Sequence, residues 1–288
     1  MKVDFHCHTH CSDGTLSPAE VIDLALEQQL DAFAITDHDS VQAYTAFPPG
    51  NYAYSSETDK YLTLISGCEF TALWSGSVIH IVGLDFDIES KPLTELLENS
   101  RLAREERSIR IAAALEKVGV TGALEGAREF ALTETSVVGR PHFAKFLVKA
   151  GVVSNEKQAF GKFLGSGKLG DVKTEWPSLR RVAEVIAESN GIAIIAHPIH
   201  YDFTRTKLLR LIEDFVSYGG RGIEVISGNQ PSNQVQQLTD IANQRNMLCS
   251  AGSDFHQPGQ PWASLGQIME LSGAARPVWT ECDSLAVN

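Results

Sequence analysis

Val3-Asp4-Phe5-His6-Cys7-His8-Thr9-His10-Cys11-Ser12-Asp13 opens the chain, and the rest of the sequence is organised around it. If Val3 to His8 is a strand, alternation puts His6 and His8 on one face and Cys7 on the other. Two imidazoles then address one point while Asp13 arrives from the loop behind them, which is half of a metal site. Taken alone, the pair is weak evidence for a metal and reads better as two polar strand-end residues. The remaining residues have to decide.

Beyond Asp13 the chain alternates between strand and helix. Ser17-Pro18-Ala19-Glu20 supplies an N-cap, a proline at the first helical position and a glutamate three residues after the cap, so a helix runs to about Gln29. Ala32 to Thr36 is a short apolar strand delivering Asp37-His38-Asp39. Phe47 to Asp59 reads as a loop, Tyr61 to Phe70 as a third strand with Glu69 near its end, and Ser77 to Phe86 as a fourth carrying His80. By itself, His80 reads as a hydrogen-bonded core histidine. From Pro92 the texture turns charged and helical through Leu179. The alternation then resumes: a helix from Leu179 to Asn190, a strand at Ile192 to Ala196 ending in His197-Pro198, and a helix capped by Thr204. A strand at Gly222 to Ile226, a helix from Gln234 to Arg245 and a strand at Met247 to Ala251 come next, the last ahead of Gly252-Ser253-Asp254-Phe255-His256. Polar residues at the ends of strands in such an order predict an α/β barrel or a doubly wound sheet.

Bulk properties narrow the function. The chain has 288 residues, and its length and 43% hydrophobic content allow a large core. A net charge of -12 argues against gripping long nucleic acid by counterion release, though not against short ones. Five scattered cysteines do not form a disulfide framework, and no stretch is apolar for long enough to span a bilayer. A soluble, cytoplasmic protein with reduced thiols and no membrane partner is expected.

The candidate ligands fall at or near predicted strand ends: His6, His8, His38, Glu69, His197, Asp254 and His256, with His80 inside its strand and Asp13 in a loop. They are too many for one ion. Two or three divalent metals, with Glu69 bridging a pair, would account for them. Such a cluster makes a hydroxide nucleophile and neutralises an oxyanion, as phosphoester hydrolysis demands. An amidohydrolase barrel, which also opens on His-x-His, is the nearest rival. Alternation turns Cys7 away from this group. Asp37 could orient an imidazole. Trp176 and Trp262 could stack a base, although a tryptophan beside proline more often packs. Gly139-Arg140-Pro141-His142 reads as an anion clasp on a stiffened turn. The arginines Arg101, Arg104, Arg107 and Arg110 recur every third residue of a predicted helix, mostly solvated with one or two turned to a ligand.

With these residues placed, the sequence strongly resembles the PHP (polymerase and histidinol phosphatase) family of metal-dependent phosphoesterases. The resemblance rests on Asp4-Phe5-His6-Cys7-His8, Ser12-Asp13-Gly14, Thr36-Asp37-His38, Gly67-Cys68-Glu69, His80, Ala196-His197-Pro198 and Gly252-Ser253-Asp254-Phe255-His256. Gly139-Arg140-Pro141-His142, Tyr201-Asp202-Phe203-Thr204 and Gly259-Gln260-Pro261-Trp262 resemble the branch of nucleoside 3',5'-bisphosphate phosphatases and ribonuclease AM-like 5'-3' exoribonucleases. The resemblance implies a distorted (β/α)7 TIM-like barrel from residues 1–91 and 180–288, with residues 92–179 as an inserted helical subdomain that contributes to substrate binding. It also implies a trinuclear site of manganese, zinc or iron. One ion would take His6, His8, Glu69 and Asp254, the second Glu69, His80 and His197, and the third Asp13, His38 and His256. Glu69 and Asp254 would be central to catalysis; Arg140 and His142, with Arg101 and Arg104, would hold the uncleaved phosphate. The expected activity is release of the 3'-phosphate from a nucleoside 3',5'-bisphosphate by a metal-bridging hydroxide. The alternative is 5'-3' exonuclease action on short RNA or DNA at the same site. A non-catalytic, metal-stabilised module is a third possibility. His10, His200 and Tyr201 are candidates for the leaving-group acid, each more naturally a supporting residue.

Overall fold

In the computed structural model, which describes residues 1–54, 60–131 and 138–286, strand β1 (Val3–Asp4) is followed by helix α1 (Pro18–Glu27) and strand β2 (Ala32–Ala34). Helix α1 starts where its chemistry dictates. The Ser17 hydroxyl accepts from the Glu20 N–H, Glu20 accepts from the Ser17 N–H at 2.7 Å, and Pro18 occupies the first turn. Next come α2 (Ala43–Ala46), β3 (Gly50–Ala53), β4 (Tyr61–Ile65), β5 (Gly67–Trp74) and β6 (Ser77–Leu84). The helices α3 (Lys91–Glu116), α4 (Ala123–Arg128), α5 (Arg140–Lys149) and α6 (Glu156–Ala159) and a π-helical turn at Phe160–Leu164 come after them. The chain then forms α7 (Leu179–Glu188), β7 (Ile192–Ile195), α8 (Arg205–Ser217), β8 (Gly222–Ser227), α9 (Ser232–Gln244) and β9 (Leu248–Gly252).

The strands form two sheets, in the orders β1-β2-β4-β3 and β5-β6-β7-β8-β9. The α/β class is as expected. β6 runs antiparallel to both β5 and β7, and β3 runs antiparallel to β4. Single bridges tie the sheets at both seams, Cys7 with Phe255 and His38 with Glu69, and the Phe5 N–H donates to Ala251 O at 3.0 Å. Between the sheets lies a buried layer of Val3, Phe5, Ala32, Ala34, Ile65, Val82, Leu84, Ile192, Ile194 and Ala196. The outer faces pack on helices, with Phe70, Ile81, Ile195 and Val225 against α7, α8 and α9 residues such as Ile186, Phe215 and Leu238. Helices α3 to α6 have a hydrophobic cluster of their own, centred on Leu115, Phe143, Leu147 and Leu164.

Two expectations are corrected. The segment from Tyr61 to Phe70 is two strands in two sheets, because the chain crosses over at Ser66, whose hydroxyl donates to Phe86 O at 2.7 Å and whose carbonyl accepts from the Asp85 N–H. Glu69 is therefore the third residue of an eight-residue strand, and its seat near a strand end was misplaced. The stretch from Phe47 to Asp59 contains β3, held as an edge strand by β4; its residues 55–59 lie outside the described residues.

The crossover depends on Gly67. A Cβ there would lie 2.9 Å from Ala34 Cβ, Ile35 O and Thr36 Cγ2, two of which belong to other side chains and one to backbone. Gly67→Ala should therefore destabilise the protein by about 1–3 kcal/mol, the usual cost of overpacking. Urea unfolding of the metal-free protein would show it as a lower midpoint, and an unchanged midpoint would mean that the crossover has slack.

Candidate metal centre

Glu69 and His80 face each other because β5 and β6 are paired in antiparallel register. Glu69 is opposite Val82 and Thr71 is opposite His80, so these residues share the face that looks between the sheets, while Cys68, Phe70 and Ala72 look outward. The Glu69 carboxylate, 1% exposed, is surrounded by five imidazoles. Its Oε1 lies 2.9 Å from His80 Nδ1 and 2.7 Å from His197 Nε2. Its Oε2 lies 3.3 Å from His6 Nε2, 3.2 Å from His8 Nε2 and 3.0 Å from His38 Nδ1. Each oxygen thus serves a different half of the histidine cluster.

The expected alternation at the N-terminus holds. His6 and His8 converge, and both Nε2 atoms also approach Asp254 Oδ1, at 3.5 and 3.4 Å. Cys7 is buried on the opposite side with its thiol on Ala34 O. Asp13 sits near His38 Nε2 (3.8 Å), His256 Nε2 (3.5 Å) and His8 Nδ1 (3.9 Å), and the His8 and His256 rings stack at 4.1 Å. The structure brings together all nine residues named as metal ligands from the sequence. They form overlapping sets of donor atoms: His8, Asp13, His38 and His256; His6, His8 and Asp254; His6, Glu69 and His197; His38, Glu69 and His80.

His197 reaches this cluster only through an unusual backbone. Continued alternation from Ile195 would send it outward, but its φ of 27° and ψ of 57° turn the side chain in. Asp254, at φ 55°, is likewise left-handed. Strain of this kind in non-glycine residues gathers where function requires it.

The donor chemistry fits divalent ions. Buried His6 Nε2, His8 Nε2, His38 Nδ1, His80 Nδ1 and Glu69 Oε2 crowd together at ion-pair distances without making a hydrogen bond. Buried polar atoms are rarely left so, and a cation between them would satisfy all at once. Burial favours the neutral form of Glu69 and Asp13. The surrounding histidines nonetheless hold both carboxyls well below the usual carboxylate range, His38 being the strongest influence in each case. Burial pushes His38 itself well below the ordinary imidazole value. Against the effect of burial, the neighbouring carboxylates raise the pKa values of His6 and His197 and push that of His8 up to about 10. Binding an ion there would displace protons, since carboxylates and neutral imidazole are the forms that bind metal.

The residues proposed for anion binding part company. Arg101 stays on the outer surface of α3, where Glu98 and Glu105 take its guanidinium at 2.8 and 3.3 Å. Arg104 turns to the cluster: Nε donates to Asp39 Oδ2 and Nη2 to Thr71 Oγ1, each at 2.7 Å, placing it beside His38 and the Glu69 strand. Arg140 is half-buried and donates to Leu164 O at 3.3 Å. His142 is 2% exposed, and its Nδ1 accepts from the Gly139 N–H at 2.9 Å, which leaves Nε2 to carry the proton. Burial lowers its pKa to about 4, so it is a neutral hydrogen-bond donor and not a cation.

Sequence reasoning passed over Arg107. It lies beside Arg104 and Arg140, with its Nε buried and without a hydrogen-bond partner among the described residues. Burial, then Arg140 and Arg104, push its pKa down; Asp171 is the opposing carboxylate. The three-residue spacing put it on one face with Arg104, and only the long-range packing of α5 showed which face mattered. Trp176 is packing: it is 7% exposed, and the Arg104 and Arg107 guanidinium groups lie 5.3 and 5.6 Å from its ring. Trp262, in contrast, is 62% exposed. Asp37 does not touch an imidazole; it binds the Thr9 N–H and the Thr9 and Ser12 hydroxyls, fixing the loop that carries Asp13. The Tyr201 hydroxyl is committed to the His80 backbone, and His200 stacks on His197 at 5.3 Å.

The PHP domain model matches residues 4–108. A 5'-3' exoribonuclease of Haemophilus influenzae is 39% identical over 278 residues, covering 96% of this chain and 98% of the relative. The chain belongs to the PHP family. A 3',5'-nucleoside bisphosphate phosphatase of Chromobacterium violaceum is 35% identical over 283 residues, with 98% and 97% covered. Among solved structures, a Chromobacterium violaceum protein described as an amidohydrolase, with bound sulfate and no metal, superposes with a TM-score of 0.88 at 34% identity, covering 99% of this chain and 97% of that one. Among the described residues, no helix of this PHP protein is long and apolar enough to cross a membrane.

Proposed function

We propose that this PHP phosphoesterase hydrolyses the 3'-phosphate of nucleoside 3',5'-bisphosphates. The observation that carries this reading is the pairing of a metal-type cluster around Glu69 with Arg104 on Asp39 and Thr71 beside it, and with Arg107 and Arg140 close enough to Arg104 to feel its charge. One phosphate would sit at each. Similarity to relatives named for a bisphosphate phosphatase and for a 5'-3' exoribonuclease supports the same reading. A bisphosphate is the terminal fragment of a 5'-phosphorylated chain, so a 5'-3' exonuclease acting on short RNA or DNA is the second reading, using the same two subsites.

In this proposal the two sheets form a distorted barrel from residues 1–91 and 180–288, and residues 92–179 supply the arginine wall. The protein works in the cytoplasm. Two or three ions of manganese, zinc or iron would be held by His6, His8, Glu69 and Asp254, by Glu69, His80 and His197, and by Asp13, His38 and His256. When bound, such ions lower the pKa of water and neutralise charge on phosphoryl oxygens. The chain's own residues do the rest. Arg104, kept in place by Asp39, aligns with Arg107 and Arg140 to bind the phosphate that is not cleaved. His142 donates through Nε2 to an oxygen of the substrate. Holding the second phosphate orients the first for in-line attack, which converts binding energy into reactive geometry.

The test compares adenosine 3',5'-bisphosphate with a short 5'-phosphorylated RNA in manganese-loaded protein, with Asp254→Asn as control. Rapid phosphate release from the bisphosphate, lost in the control and after chelation, is expected. Processive shortening of the RNA with slow attack on the bisphosphate would shift the main role to the second reading, and inactivity on both with metal bound would refute each.

A further inference from the structure

Glu224 is 2% exposed and lies in the interior behind the candidate metal ligands, without being one of them. Its two oxygens are 3.1 and 3.2 Å from His6 Nδ1, and Oε2 also accepts the His197 N–H at 2.6 Å. It therefore joins a ligand from β1 to a ligand after β7, and the β8 ladder is adapted to put it there. Between Glu224 and Ile226 the register with β9 shifts by one residue, a bulge that re-aims the side chain.

Position 252 is shaped to the same end. A Cβ on Gly252 would lie 2.3 Å from His6 Cβ and 2.9 Å from Glu224 Oε1. The glycine that opens Gly252-Ser253-Asp254 thus vacates the space in which His6 and Glu224 meet. Glu224 touches two of the candidate ligands, and one of them, His197, has a left-handed backbone.

We infer that Glu224 is a positioning residue that couples two metal subsites, the one built on His6 and the one built on His197. By accepting from His6 Nδ1–H it holds the imidazole with the Nε2 lone pair facing Glu69 and Asp254, the usual service of a carboxylate behind a ligating histidine. By accepting from the His197 N–H it holds the left-handed turn that keeps that ring on Glu69. One carboxylate thereby preorganises both sets, while Asp13, His38 and His256 lie outside its reach. This inference rests on the assignment of the cluster as a metal centre.

The experiment measures manganese and zinc affinity by chelator competition in the parent, Glu224→Ala and Glu224→Gln, together with hydrogen exchange of the His197 amide in the metal-free proteins. In Glu224→Ala the two linked ions should bind about 10- to 100-fold more weakly, the usual range for loss of such a partner. The ion at Asp13, His38 and His256 should keep its affinity. Glu224→Gln, which retains shape and one acceptor, should fall between. His197 should exchange faster in Glu224→Ala than in the parent, with the secondary-structure signal unchanged. Parent-like affinity for every ion and parent-like exchange at His197 would overturn the inference. A parent that takes up no divalent ion would instead defeat the metal-centre reading, and faster exchange at His197 would still establish the positioning contact.

Discussion

Glu69→Gln is expected to abolish turnover. The carboxylate is the one group that touches both halves of the histidine cluster, with Oε1 on His80 and His197 and Oε2 on His6, His8 and His38. Glutamine keeps the volume but offers a single acceptor, and its amide nitrogen would present hydrogens to nitrogen lone pairs. A metal centre supplies several kcal/mol of transition-state stabilisation, and each 1.4 kcal/mol is a factor of ten, so kcat should fall by at least about 10³-fold. Metal content, read by elemental analysis after gel filtration, should fall with it. Glu69→Asp is the companion variant: it keeps the charge but is a methylene too short to serve both sides, and should lose metal as well. Parent-like kcat in Glu69→Gln would end the assignment of Glu69 as the bridging group.

Arg107→Met should have the second-largest effect, and of a different kind. Arg107 is half-buried with its Nε fully enclosed, and Arg140 and Arg104 repel its charge while Asp171 only partly offsets them, an arrangement that an entering anion would relieve. Burial and the two neighbouring cations lower its pKa, yet arginine starts so far above neutrality that it stays charged at pH 7. A hydrogen bond to a charged group is worth about 1.5–3 kcal/mol, so KM for adenosine 3',5'-bisphosphate should rise by roughly 10- to 150-fold. Metal content should not change. Adenosine 3'-monophosphate, which has nothing to place in the pocket, should be turned over alike by variant and parent. Equal KM values for the bisphosphate in both proteins would show that the second phosphate lies elsewhere. Methionine is chosen because the side chain is half-buried and an unbranched apolar replacement removes the charge with the least repacking.

How much of this was legible beforehand differs residue by residue. His6 and His8 were legible because two-residue alternation is a local property, and their convergence followed from it. Helix α1 was legible because its cap is written in four consecutive residues. Glu69 was recognisable as a candidate ligand, but its seat was not: an apolar run from Tyr61 to Phe70 has no local mark of a crossover, and the break at Ser66 is imposed by its contacts with Asp85 and Phe86. Arg101 and Arg104 looked equivalent in a helix with arginine at every third position. Residues three apart are neighbours on a helix, so the difference lies in what each meets. Arg101, one turn earlier, has Glu98 and Glu105 of its own helix, whereas Arg104 meets Asp39 and Thr71 from outside that helix. Glu224 had no signal except a carboxylate within an apolar strand, where burial without a partner is costly.

The sequence by itself determined the α/β class and the residue types of the His, Asp and Glu cluster that could hold metal, because side-chain chemistry and short-range periodicity are properties of neighbours along the chain. Only the tertiary structure decided which atoms meet. The division into two sheets joined at single bridges, the antiparallel β5–β6 pair that sets Glu69 amid five imidazoles, the left-handed turn at His197 and the Glu224 carboxylate behind it all depend on contacts between residues far apart in sequence. Such contacts form when apolar faces are buried together, and no local pattern carries their register or direction.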